Sequence, residues 1–128
     1  MRAQLRPGRA PVLPILTQTV CAARANGLAV IDGVCNEFRE LAPFRAECEQ
    51  GLEFGFDGKS LIHPDQVEPC NAVFSPSEAD LAWARAVVAA FELPENQGKG
   101  AIRVEGRMAE LLHLDQARRL LAIAAAIG

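Results

Sequence analysis

Chemistry-bearing side chains gather in the stretch GFDGKSLIHPDQVEP, residues 55–69, which sets three acids, Lys59 and His63 around a short apolar segment. An imidazole, with a reference pKa of about 6.5, can carry a proton or donate to an anionic ligand. It can equally bond the backbone ahead of Pro64 and fix the end of a strand. Asp32, in LAVIDGV, ends another apolar run, and Gly33 follows it. In parallel α/β folds ligands bind at the carboxyl ends of strands, where side chains leave the packed core for a crevice. An acid there can also cap a helix or anchor a loop. Lys59 stands at the opposite end of its strand, which suits solvation or a structural ion pair. Glu110 and His113 are three apart and are expected on one face of a terminal helix, where the helix dipole by itself favours the acid.

Other constellations are missing from the chain. There is no Gly-rich phosphate loop, no GxSxG elbow and no Ser/His/Asp set. Cys21, Cys35, Cys48 and Cys70 form no CxxC pair and have no histidine at ligand spacing, which argues against zinc and for reduced, mostly buried thiols.

The elements that must position these residues follow from periodicity. Residues 1–16, rich in proline and arginine, read as an irregular lead-in. TQTVCAARANG reads as a helix closed by Gly27. LAVIDGV, apolar without alternation, suits a strand buried on both faces. NEFRELAPFRAECEQGLEFG reads as a helix bent or restarted at Pro43, and KSLIHP as a strand stopped by Pro64. Helix, strand, helix, strand with short connections is the grammar of βα units and parallel pairing. His63 would then face the same side as Asp32.

Beyond this, SPSEADLAWARAVVAAF predicts a helix capped by Ser75, with Pro76 first in the helix and Glu78 completing a capping box. Its apolar face is Leu81, Ala84, Val88 and Phe91. AIRVEGRM reads as a short strand and turn, and AELLHLDQARRLLAIAAAI as a terminal helix aligned on Leu114, Ala117, Leu121 and Ala124. The boundaries are residues 1–16, 17–74 and 75–128.

Composition bounds the function. The 128 residues are half apolar and 23% charged, enough for one globular core. A net charge of −3 with no basic cluster argues against a nucleic-acid surface. The LLAIAAAIG run is too short to span a bilayer, and Pro7, Pro11 and Pro14 break up any secretory core, so a cytoplasmic location is expected.

AARANGLAVIDGVCNEFRE, GFDGK..IHP.Q, the downstream FSPS and the final GKGAIRVEGRMAELLHLDQARRLLA together resemble the C-terminal part of the citrate lyase beta subunit and malyl-CoA lyase family. These are the CoA-ester lyases of the HpcH/HpaI aldolase superfamily. The resemblance begins near residue 17. It implies an α/β fold: about the last two βα units of a TIM barrel, plus a helical C-terminal extension that covers a neighbouring subunit's active site. It further implies C–C cleavage of a 3-hydroxyacyl-CoA such as malyl-CoA or citryl-CoA, with Mg²⁺ as Lewis acid.

On the family pattern Glu110 takes the place of a catalytic acid, in GRMAE where several members have GxMxD. Asp32 and His63 fall near the barrel mouth, where supporting contacts to substrate are expected. Cys35 stands where an aromatic is usual. The family's metal-binding Glu and Asp and its clamping Arg lie on earlier strands, so no metal ligand is expected here. Two strands cannot close a barrel and leave edges open. The resemblance therefore implies either a fragment that is inactive alone or a lid module. Self-association or docking on a complete lyase subunit would cover the open edges.

Overall fold

A computed structural model describes residue 4 and residues 6–127. The chain divides into two compact units, residues 1–74 and 75–128.

In the first unit, the prolines expected to keep the lead-in irregular start a helix instead. Pro11 lies in a 3-10 turn, Ala10–Val12, which runs into α1, Leu13–Ala25, with Pro14 at its start. A proline there loses no helical hydrogen bond, and its fixed φ already suits the helix. α1 stops in a Schellman motif. The Leu28 N–H donates to the Ala23 carbonyl and the Gly27 N–H to that of Arg24, with Gly27 at φ 65°.

β1 is only Ile31–Asp32 and β2 only Gly58–Lys59. They pair in parallel with Ile31 opposite Gly58 and Asp32 opposite Lys59. The parallel grammar holds; the double-faced burial does not. Asp32 is buried, whereas Leu28 and Ile31 are 60% and 54% exposed. Among the described residues each of these strands has one strand neighbour. β2 was expected to run on through residues 60–63; the Ser60 N–H still donates to the Asp32 carbonyl, but the Ile62 N–H donates to a side chain, Gln66 Oε1.

α2, Leu41–Phe54, begins after the five residues expected to open it, and Pro43 sits in its first turn without bending it. A 3-10 turn at Pro64–Gln66 leads into α3, Val67–Phe74, which the periodicity did not mark. Phe44, Cys48 and Cys70 form the small core of this unit, with Leu61, Val73 and Phe74 against it.

In the second unit, the cap of α4, Glu78–Glu92, is Ser77 and not Ser75: its Oγ accepts from the Asp80 N–H. Pro76 therefore precedes the cap. β3, Ala101–Val104, and β4, Arg107–Glu110, form an antiparallel hairpin across Glu105 and Gly106, both with positive φ. A two-residue turn of this kind matches strand twist and favours glycine. α5 spans Leu111–Ile127. Ala84, Val87, Phe91, Ile102, Val104, Ala109, Leu114 and Ala117 close the core. Among the described residues no helix is long and apolar enough to cross a membrane.

Candidate functional site

The parallel register puts Asp32 and Lys59 side by side at the strand ends. Lys59 Nζ, fully buried, donates to Asp32 Oδ2 at 3.0 Å, Glu47 Oε1 at 2.7 Å and the Gly33 carbonyl at 2.8 Å. From the segment before α1, Arg9 Nη1 reaches both Asp32 oxygens at 2.8 and 2.9 Å. Arg9 Nε donates to Gln50 Oε1, and Gln50 Nε2 returns to the Gly8 carbonyl, so α2 grips the segment from both ends. Asp32 Oδ1 also accepts its neighbour's amide, Gly33 N–H. Gly51 in α2 makes room: a Cβ there would lie 3.0 Å from Asp32 Oδ2.

Burial by itself would push the Asp32 carboxyl up. The hydrogen bonds from Arg9 and Lys59, together with their charges, outweigh it and hold the group below the usual carboxylate range. Lys59, read as solvated or ion-paired, is the latter. One nitrogen of the Arg9 guanidinium, Nη2, is buried without an acceptor, and Arg9 itself holds a left-handed φ of 53°. A cavity of about 660 Å³ adjoins the cluster, lined by Arg6, Arg9, Val12, Leu16, Glu47 and residues 32–37 among others. That volume lies in the range of small-molecule sites.

The remaining anticipated residues make other bonds. His63 engages Phe38 and Asp65, which are outside this cluster. Its ring stacks on Phe38 at 4.9 Å and its Nδ1 accepts the Asp65 N–H at 3.2 Å, fixing the turn at Pro64. The sheet does not set the face that His63 was expected to share with Asp32, because β2 ends at Lys59, four residues before it. Glu110 lies in the second unit. It ends β4 and is not in the terminal helix; its carboxylate is on an exposed residue and its N–H donates to His113 Nδ1 at 2.9 Å. Asp57 proves structural: Arg24 grips both its oxygens at 2.8 and 2.9 Å, and the Val30 N–H donates to it.

Arg9, Glu47 and Gln50 went unmarked in the sequence, since an ion pair spanning 23 residues leaves no local pattern. Gln66 was also missed, although it is wholly buried.

A magnesium site does not fit these residues. Both Asp32 oxygens and Glu47 Oε1 already accept from cationic donors, and no group of three or more His, Cys, Asp or Glu among the described residues can hold a metal ion.

A parallel strand pair joined by a helix, with charged groups at the strand ends, is an α/β arrangement, and the chain belongs to the HpcH/HpaI aldolase/citrate lyase family, whose model matches residues 1–64. The match takes in the first 16 residues, so the resemblance begins at the lead-in and not near residue 17. Among individual relatives, a (3S)-malyl-CoA thioesterase of Cereibacter sphaeroides strain KD131 is 50% identical over 98% of this chain. A citrate lyase subunit beta-like protein of Deinococcus radiodurans is 41% identical over 90% of it. The crystal structure of CitE from Mycobacterium tuberculosis, in complex with magnesium, acetoacetate and coenzyme A, is similar over 87% of this chain and 40% of its own, with a TM-score of 0.69 and 30% identity. The chain spans 44% of the Cereibacter thioesterase and 40% of the Deinococcus protein.

Proposed function

We propose that this chain forms the C-terminal part of an enzyme acting on a CoA ester of the malyl-CoA class, and that turnover needs elements it does not itself contain. The observation that carries this is the parallel β1–β2 pair, open at both edges, with Leu28, Ile31 and Ile62 exposed beside the buried Asp32–Lys59 pair. A pair this short gains stability only when further strands or helices cover it. Such elements would also bring the magnesium ligands that the described residues lack. In this reading Asp32 and His63 support the site of the first unit, and Glu110 offers its acid to a neighbouring subunit's site, its carboxylate one methylene longer than the Asp of the family pattern.

The likeness to a malyl-CoA thioesterase favours hydrolysis of the thioester over cleavage of a C–C bond. Hydrolysis frees a thiol, whereas C–C cleavage leaves the thioester intact and yields a carbonyl compound. The test supplies (3S)-malyl-CoA and Mg²⁺ to the chain alone, then to the chain co-expressed with the part of the Cereibacter relative it does not span. No turnover alone and thiol release on complementation are expected. Turnover by the chain alone, abolished by a chelator, would overturn the dependence on other elements; a carbonyl product with the thioester retained would assign C–C cleavage.

A second reading has its own support. The extension has a separate core, from Ala84 to Ala117, and displays Glu110 at its surface. It can therefore serve as a lid module docking on a complete lyase subunit, in which case the chain co-purifies with that subunit without restoring activity to a fragment.

A further inference from the structure

Residues 33–37, which leave β1 at its carboxyl end, all line the cavity beside Asp32. Three carbonyls of this loop are held from beneath by two buried side chains of the strand-end motif. Lys59 Nζ donates to the Gly33 carbonyl at 2.8 Å. Gln66 Nε2 donates to the Cys35 carbonyl at 3.0 Å and to that of Glu37 at 3.2 Å. Gln66 Oε1 is meanwhile occupied by the Ile62 N–H at 3.0 Å, which fixes which end of the amide faces the loop. Gln66 has no exposed surface, and every polar atom of its amide has a partner. A buried amide that donates twice and accepts once, all to backbone, defines one loop geometry and penalises others, since each broken bond leaves a polar group unpaired. Phe38, next along, is pinned by its stack on His63.

We propose that Gln66, with Lys59, is a positioning residue: it fixes residues 33–37 as one wall of the cavity, so that the GK..IHP.Q motif shapes the site from below without touching what occupies it. That the cavity receives the CoA ester rests on the function proposed above; the clamp itself does not, and its test contains no ligand.

Cys35, on the clamped loop, reports on the clamp directly. Cys21, exposed on α1, serves as the internal reference, and the buried Cys48 and Cys70 report global opening. The intact chain is alkylated with iodoacetamide and the labelling rate of each cysteine is read by mass spectrometry, for the unsubstituted protein and for Gln66→Met and Gln66→Glu. The first keeps the volume and loses all three bonds; the second keeps the acceptor for Ile62 and loses both donors. A rise of about tenfold in the Cys35 rate, with Cys21, Cys48 and Cys70 unchanged, is expected for both, as for loss of a local opening barrier. An unchanged Cys35 rate, or an equal rise at Cys48 and Cys70, would overturn the proposal. If neither variant folds, amide exchange in the unsubstituted chain decides: the Ile62 N–H should exchange slowly, and exchange at the rate of a free amide would overturn it.

Discussion

At the residue scale, Asp32 is a focus of the first unit's integrity, because two cations and a backbone amide converge on it. Replacing it by Asn leaves two buried cations, Arg9 and Lys59, with Glu47 alone to balance them, and breaking a buried pair in this way typically costs about 3–5 kcal/mol. Urea denaturation of Asp32→Asn should show a loss of that order. The pH dependence has a defined sign. The carboxyl is held below its unfolded value of about 3.9, so the folded state binds fewer protons. Its contribution is complete above that value and is lost as pH falls below it toward the folded pKa. Thermal midpoints should therefore drop in that acid window, and drop less steeply in Asp32→Asn. The cysteines make a separate test. Burial, then the neighbouring Cys70, pushes the Cys48 thiol up to about 12, and burial raises Cys70 as well. At pH 8 iodoacetamide should label Cys21 and spare Cys48 and Cys70 until the protein unfolds, because the thiolate is the reacting form.

At the scale of elements, α2 is shaped around its neighbour. A helical glycine replaced by alanine usually gains stability of about 1 kcal/mol. Gly51→Ala should do the opposite, since its methyl would meet Asp32 Oδ2 at 3.0 Å and that carboxylate, held by Arg9 and Lys59, has no freedom to withdraw. A lowered midpoint in thermal unfolding is expected; an unchanged or raised one would show that the cluster yields. Much of the element order was readable. Short apolar runs separated by a helix pointed to the parallel pair, and the glycines at 27 and 55 ended their helices as anticipated. Glu110 was misassigned because ELLHLDQARRLL keeps a helical period back to Ala109, while the Glu105–Gly106 turn forces the preceding residues into a hairpin. Arg9 and Gln66 were illegible for another reason. A polar side chain two residues from a proline looks like surface, and only tertiary structure reveals that its partners are a distant carboxylate or loop carbonyls.

At the scale of the whole molecule, the exposed apolar side chains are the governing feature. Strand burial could not be read from LAVIDGV, since burial belongs to the neighbours a strand acquires and not to the strand itself. Leu28, Ile31 and Ile62, at 60%, 54% and 51% exposure, leave an open strand pair uncovered, a surface that promotes association. Sedimentation velocity should show concentration-dependent self-association of the chain, reduced in an Ile31→Glu, Ile62→Glu double variant. A single monomeric boundary at all concentrations would count against the open-edge description.

The buried cluster has a consequence for ionic strength. Arg9, Lys59, Asp32 and Glu47 carry two charges of each sign within bonding distance, so the group is neutral when viewed from a few ångströms away. Mobile ions have little net field to respond to and little access to the interior. Added sodium chloride should therefore weaken the surface pair Arg45–Glu49, both members of which are more than half exposed, while leaving the attachment of the Arg9 segment intact. On the proposed function, attraction of an anionic CoA ester would come from charges outside this quartet.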